Sequence, residues 1–203
     1  MPDFTWATAQ YDSGDWDSAP MVAANLIDSV ARYTRIDVAP TGVIVPLASR
    51  DLFKYPLVYL TGHLPVRFSD AERATVREYC RRGGLLFIDD HNHDIDGEFH
   101  RTAWEEVART VGPLKDLPND HPLYSAFFKF PDGPPTTSHE LNGWGDNLVH
   151  KHLQAVLQGD RIAVLYSSKD YSSEWNYHPD NKRFLSVDNT RFGVNLVVHA
   201  LTR

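Results

Sequence analysis

The chain has 203 residues, of which 42% are hydrophobic and 23% are charged, and this globular composition excludes a disordered or fibrous protein. Its formal net charge of -7 argues against nonspecific nucleic-acid binding, because the phosphate backbone attracts basic surfaces. The single cysteine, Cys80, excludes an internal disulfide and a cysteine-rich zinc site.

The first part of the chain predicts strands and helices in alternation. Residues 4–11 alternate between aromatic or small and polar side chains, which predicts an opening strand. Apolar residues then recur every three or four positions from Val22 to Tyr33, which is the spacing of an amphipathic helix. Two short apolar runs, 43–47 and 57–60, are typical of buried strands.

The best-defined helix begins after Ser69. This serine can cap backbone N–H groups while Glu72 reaches back to it, and the pair Gly83-Gly84 is typical of a helix C-terminus. Residues 85–88 predict the next strand, which ends in Asp89-Asp90.

Helical spacing resumes over residues 99–111. Further on, residues 155–158 and 161–167 flank Gly159-Asp160, a pair suited to a type II′ turn, so we expect a hairpin. A helix over 148–157 is the alternative.

Two other segments complete the predicted elements. Residues 131–145 are rich in proline and glycine and predict a loop. Residues 192–201 are apolar nearly all round and predict a buried closing helix, with a strand as the alternative because of their β-branched side chains.

Strands that alternate with helices need crossover connections, which predicts an α/β sandwich with a mostly parallel sheet covered on both faces. No low-complexity seam divides the chain, so we expect one domain over residues 1–203. The N-terminus has no basic segment followed by an apolar run, and no apolar stretch approaches the ~20 residues of a spanning helix. We therefore expect a soluble, cytoplasmic chain with no signal peptide and no membrane span.

The densest polar cluster, residues 89–100, lies between a predicted strand and a predicted helix, where open α/β sheets bind ligands. Histidines and carboxylates there can hold Zn²⁺, Fe²⁺ or Mn²⁺ and leave a position for water, which the metal would convert to hydroxide. Glu98 is the candidate general base and Asp89 a second candidate catalytic carboxylate. The candidate metal ligands are His91, His93, Asp94 and His100.

Two other interpretations of this cluster stay open. It can be a solvated loop whose carboxylates are favoured by the adjacent helix N-terminus. Residues 92–97 also match the first half of a calcium loop, but Ala103 stands where the bidentate carboxylate belongs, so calcium is disfavoured.

Further candidate ligand-binding residues are Asp90 and His63, since both follow predicted strands and can face one crevice. Tyr171 and Trp175 follow a third strand, in a run whose hydroxyls and aromatic rings suit a sugar or peptide wall. The alternative for His63 is a turn histidine bonded to backbone. The alternative for the run with Tyr171 and Trp175 is an ordinary surface loop.

Several common catalytic and nucleotide motifs are missing from the sequence. Cys80 shares the apolar face of a predicted helix with Val76 and Tyr79, which indicates a buried, inert thiol. There is no Gly-x-Ser-x-Gly or Gly-x-Cys-x-Gly nucleophile motif. Glycine-rich phosphate loops are also absent, so we expect no nucleotide cofactor.

Taken in order, a set of segments resembles the bacterial domain of unknown function 4159 family, and the resemblance covers almost the whole chain. These segments are 51–63, 68–70, 82–90, 96–99, 120–124, 161–167 and 193–201. The resemblance implies a flavodoxin-like three-layer sandwich of the class I glutamine amidotransferase type. It implies no settled activity, and the amidotransferase cysteine motif has no counterpart here. Members often form the soluble part of membrane-anchored proteins, which implies envelope-associated protein partners.

Three functional hypotheses follow. The first is a ligand-binding domain of amidotransferase-like fold that lacks the nucleophile and serves cell-envelope assembly. The second is a metal-dependent hydrolase that uses His91, His93 and the nearby carboxylates. The third is a protein-interaction module without a small-molecule site, which should expose an apolar patch instead of a polar crevice.

Overall fold

A computed structural model describes residues 2–177 and 186–202 of the chain. Within them lie seven strands, six α-helices and two short 3₁₀ helices, Arg50–Lys54 and Pro122–Ser125. The strands are β1 (Ala7–Gln10), β2 (Val43–Pro46), β3 (Leu57–Gly62), β4 (Leu85–Asp90), β5 (Lys115–Asp116), β6 (Gln154–Gln158) and β7 (Arg161–Ser167). The helices are α1 (Val22–Tyr33), α2 (Asp70–Arg81), α3 (Glu98–Thr110), α4 (Ser138–Leu141), α5 (Tyr171–Trp175) and α6 (Ser186–Thr202).

The strands form one sheet in the order β2-β1-β3-β4-β7-β6-β5. The first five run parallel, whereas β6 and β5 pair antiparallel at one edge. In this register Thr61 lies opposite Asp89, Gly62 lies opposite Asp90, and Asp89 lies opposite Ser167. The carboxyl ends of the three central strands therefore bring their polar residues to one edge of the sheet.

Helices cover both faces of the sheet, because successive strand residues point to opposite sides. Leu57 and Tyr59 of β3 pack in a core with α1, α5 and α6. Val58 and Leu60 of the same strand pack in a second core with α2 and α3. The predicted α/β class and mostly parallel sheet are thus confirmed. Within the described residues, no helix is both long enough and apolar enough to cross a bilayer.

Local sequence signals determine both ends of α2. The Ser69 side chain accepts a hydrogen bond from the Glu72 backbone, and the Glu72 side chain accepts one from the Ser69 backbone, as predicted. At the other end Gly83 has a φ of +109°. Its N–H donates to the Cys80 carbonyl and that of Gly84 to the Tyr79 carbonyl, which is the Schellman arrangement.

The second half of the chain confirms the hairpin and the closing helix, and corrects the expectation for residues 131–145. β6 and β7 pair around Gly159, whose φ is +65°, so the alternative helix over 148–157 is wrong. Residues 192–201 lie within helix α6, not a strand. The predicted loop 131–145 contains the short helix α4, which a second capping box between Thr137 and Glu140 begins.

The capping box of α2 gives a stability prediction. Replacing Ser69 with alanine leaves the Glu72 N–H without its acceptor, and we expect the free energy of unfolding to fall by about 1 kcal/mol. Ser69→Thr keeps a hydroxyl acceptor and should lose much less. Urea unfolding of the two variants measures the difference, and equal losses would contradict the capping role.

Candidate functional site

Residues 137–150 are hydrogen-bonded to the turns that follow β4 and β7. We name these residues the strand-end segment. Its main anchor is a buried ion pair, in which Lys169 Nζ lies 2.7 and 2.8 Å from the two carboxylate oxygens of Glu140. The same ammonium donates to the His150 carbonyl. Both charged side chains are at most 1% exposed, so each depends on the other for its charge to be tolerated.

The residues after β7 form further bonds to this segment. The Thr137 hydroxyl donates to the Lys169 carbonyl across 2.7 Å. His139 Nδ1 is hydrogen-bonded to Asp170, and this bond raises the pKa of His139. Asp170 itself has a φ of +59° and caps α5 by accepting the Ser173 N–H. A left-handed non-glycine residue at this turn is held there by its bonding partners.

His93 is fully buried and joins three separate stretches of chain. Its Nδ1 lies 2.5 Å from the Ser168 carbonyl and its Nε2 lies 3.0 Å from the Leu148 carbonyl. Carbonyl oxygens only accept, so both contacts are hydrogen bonds only when both ring nitrogens carry hydrogen. The carboxylate of Asp146 faces the same edge of the ring, with its Oδ1 3.4 Å from Nε2.

Asp146 is shared between two histidines. Its Oδ2 lies 2.7 Å from His150 Nε2 and also accepts the Ile95 N–H. Burial raises the pKa of Asp146, but the Leu148 and Ile95 N–H groups and His150 outweigh it and lower the pKa below its usual value. His93, Asp146 and His150 therefore form a polar cluster that holds the strand-end segment to the loop after β4.

Close backbone contact explains a glycine in this segment. Gly145 has a φ of +64°, and a Cβ placed on it would lie 1.9 Å from the His93 carbonyl oxygen. That oxygen accepts the neighbouring Asp146 N–H across 2.8 Å. Position 145 therefore requires glycine.

His63 follows β3 and is held by Asp15, in the turn after β1. One Asp15 oxygen accepts the backbone N–H groups of His63 and Leu64, and the other lies 2.7 Å from His63 Nδ1. Burial raises the pKa of Asp15, but these hydrogen bonds dominate and lower it, so the group is a carboxylate. The His63 ring stacks on His91 with centroids 4.2 Å apart.

An open cleft of ≈ 540 Å³ lies beside His63. The strand-end segment supplies Trp144 to its wall, and the loop leading into α3 supplies Asp94 and Glu98. Trp144 is 61% exposed. No lysine or arginine is among its described lining residues, although Arg101 lies 3.5 Å from Glu98 in an exposed pair of little strength.

Two carboxyl groups at the end of β4, Asp89 and Asp90, are buried and do not line the cleft. Asp89 accepts hydrogen bonds from the Tyr171 and Ser172 N–H groups and from the Ser172 hydroxyl. Burial and the nearby Asp170 nevertheless raise its pKa. Burial likewise raises the pKa of Asp90 to about 7.

The structure brings some of the predicted site residues together. His63, Asp94 and Glu98 line the cleft, and His91 lies against His63. Asp90 accepts the Asn92 and Asp94 N–H groups and so fixes the turn that carries the cleft residues.

Other predicted residues lie away from the cleft. Tyr171 and Trp175 are at most 1% exposed and pack in the core, so they form no ligand wall. Asp89 is buried at the start of α5, without exposure to the cleft. His100 lies 3.0 Å from the Tyr166 hydroxyl, and burial lowers its pKa to about 4.

The predicted metal ligands His91, His93, Asp94 and His100 do not form one group. His93 has a φ of +51°, so the chain turns there and does not continue as an extended segment. In residues 2–177 and 186–202, ligand atoms of three such side chains come within 4.8 Å of one another only for His93, Asp146 and His150. Of the predicted set, this group contains only His93.

Sequence reasoning missed Asp15, His139, Trp144, Asp146 and Lys169. Asp15 had a usable signal, because it follows the first strand of a parallel sheet and so reaches the same edge. The other four reach the site only through the long connection between α3 and β6 and the turn after β7, whose paths the sequence does not specify.

An α/β sheet with a polar cleft beyond its carboxyl strand ends is typical of small-molecule-binding domains. Residues 5–201 match the family model described as Domain of unknown function (DUF4159), and the chain belongs to that family. No curated protein matches the chain.

Asp90 gives a prediction about pH. The pKa of aspartate in an unfolded chain is about 3.9, whereas burial raises the pKa of Asp90 in the folded protein to about 7. Between these values the folded protein keeps a proton that the unfolded chain has lost, so the free energy of unfolding falls as pH rises.

We expect Asp90→Asn to make this decline shallower between about pH 4 and 7, measured by urea unfolding at several pH values. The exposed Asp96→Asn is the matched control and should keep the wild-type slope. The comparison uses the slope of the free energy of unfolding against pH and not its absolute value, because the amide in Asp90→Asn also changes the hydrogen bonds to the turn. A wild-type slope in Asp90→Asn would contradict the buried titration.

Proposed function

We propose that this protein is a ligand-binding domain of class I glutamine amidotransferase-like, flavodoxin-like fold that lacks the amidotransferase nucleophile. The order of its parallel strands, β2-β1-β3-β4-β7, corresponds to 2-1-3-4-5, the order of flavodoxin-like sheets. Cys80 is buried, and burial raises the pKa of its thiol to about 12. Such a thiol is a poor nucleophile.

The cleft beside His63 carries the proposal. Its wall combines the exposed face of Trp144 with two carboxylates, Asp94 and Glu98. Carboxylates repel anions, and an exposed indole attracts cations and the apolar faces of neutral polar molecules. The ligand in this proposal is therefore a small neutral or cationic molecule. Its use in cell-envelope assembly is part of the same proposal and rests on the family resemblance alone.

Backbone NMR with three probes tests the binding site. We expect tetramethylammonium and methyl glucoside to shift the Gly97 amide and the Trp144 indole signal, and citrate to leave them unchanged. The shifts should be lost in Trp144→Ala. Trp16→Ala, which changes a ring in a separate groove near β2, should keep them. Cleft signals that respond to neither the cationic nor the neutral probe would refute the proposal.

A metal-dependent hydrolase is the alternative, and one observation favours it: His93, Asp146 and His150 are close enough for one ion. The hydrogen bonds of His93 oppose it, because a ring that donates from both nitrogens has no lone pair for a metal. We expect untagged protein to contain no stoichiometric zinc, iron or manganese by elemental analysis. One equivalent of metal that is lost in His93→Gln and His150→Gln would overturn this expectation.

A protein-interaction module is the third hypothesis, and it too has one supporting observation. The strand-end segment exposes several apolar side chains in sequence, which is unusual for a solvated loop. These are Leu141, Trp144, Leu148 and Val149. Binding of the small probes to the cleft separates the first hypothesis from this one.

A further inference from the structure

We propose that Asp15 and His63 form an acid–base pair in which His63 Nε2 activates water for attack on a neutral ester bound in the cleft. This inference rests on the proposed ligand site and assigns it an activity. Asp15 Oδ2 lies 2.7 Å from Nδ1 of His63. A carboxylate only accepts, so Nδ1 carries the hydrogen and Nε2 keeps its lone pair in the neutral ring.

Among the histidines near the strand ends, His63 combines an open nitrogen with a fixed ring. Within the described residues its Nε2 has no hydrogen-bond partner, and its side chain is 43% exposed on the cleft. His91 differs, because its Nδ1 lies 3.2 Å from the Ser18 hydroxyl and its side chain is only 10% exposed. His93 donates from both of its nitrogens to carbonyls.

Two neighbours fix the His63 ring and favour its positive charge after proton transfer. Asp15 holds the backbone of His63 as well as its ring, so ring and main chain move together. The ring of His91 stacks against one face of the His63 ring. Burial lowers the pKa of His91, and a neutral neighbour does not repel the imidazolium that forms on His63.

The charge of the cleft selects the substrate class. Phosphoryl transfer needs cationic side chains or metal ions to balance the charge of the phosphate oxygens. The described lining of this cleft contains carboxylates and no lysine or arginine. The carbonyl group of a neutral ester carries no negative charge that cationic side chains would have to balance. The described lining of the cleft contains no serine, threonine or cysteine, so water is the nucleophile in this proposal.

The reaction balances without any other reactant. Water oxygen bonds to the ester carbonyl carbon while one water proton passes to His63 Nε2, giving a tetrahedral oxyanion. The bond from carbon to the leaving oxygen then breaks, and that oxygen takes the proton from Nε2, which releases an acid and an alcohol. Gly143 and Gly145 line the cleft, and within the described residues their N–H groups donate to no other group. In this proposal these N–H groups donate to the oxyanion.

Hydrolysis of p-nitrophenyl acetate by the full chain tests the pair. We expect turnover of this neutral ester and none of p-nitrophenyl phosphate. His63→Gln should lower the rate by about 10²- to 10⁴-fold, the usual contribution of a general base. His152→Gln is the matched control and should keep the wild-type rate, because His152 is exposed and bonded to Asn119, outside the cleft.

Asp15 is a positioning residue, and Asp15→Asn tests that role. An amide can still accept from the backbone N–H groups, but it no longer requires hydrogen on His63 Nδ1. We expect kcat to fall with KM unchanged, and nitrogen-15 NMR of His63 to change from one tautomer to a mixture. Unchanged tautomer signals would contradict this role.

The outcomes separate this inference from the proposed function. If His63→Gln hydrolyses the ester at the wild-type rate, or His152→Gln loses as much as His63→Gln, the acid–base pair is refuted. Cleft signals that still respond to tetramethylammonium in that case leave the ligand-binding function standing. If the wild-type protein does not accelerate hydrolysis over buffer, the activity is refuted directly.

Discussion

The buried ion pair between Lys169 and Glu140 is the constraint on which the strand-end region depends. Two charges with almost no solvent contact are stable only while each stays beside the other, because removing one leaves an uncompensated buried charge. The pair therefore fixes the strand-end segment against the turn after β7. Trp144 and the histidine–aspartate bonds of this segment take their positions from that anchor.

This arrangement gives the histidines different roles, although they look alike in the sequence. His93 uses both nitrogens to join three stretches of chain, and His100 is a half-buried neighbour of Tyr166. His91 stacks against the ring of His63. His63 alone among these four combines an exposed ring with a carboxylate that orients it. Burial and partners, not residue type, decide which imidazole can exchange protons with a ligand.

The two buried carboxyl groups at the end of β4 reduce the free energy of unfolding as pH rises. Burial raises the pKa of both Asp89 and Asp90, so the free energy of unfolding falls as pH rises through the range in which they lose their protons. They accept the backbone N–H groups that begin α5 and the turn after β4. Asp90 thereby fixes the turn that carries Asp94, while Asp94 and Glu98 themselves present charge to the cleft.

Local sequence determined the fold class, because hydrophobic period, capping boxes and glycine stops act over a few residues. Ser69 with Glu72 and Gly159 in its hairpin are examples, and so are the polar strand ends at His63 and Asp89-Asp90. The sequence did not determine which of those polar residues share a cleft. That needed Asp15, Asp146 and Lys169, whose partners lie 48, 53 and 29 positions away. Only the packed structure decides such pairings, since they depend on burial and on the path of long connections, which no local pattern encodes.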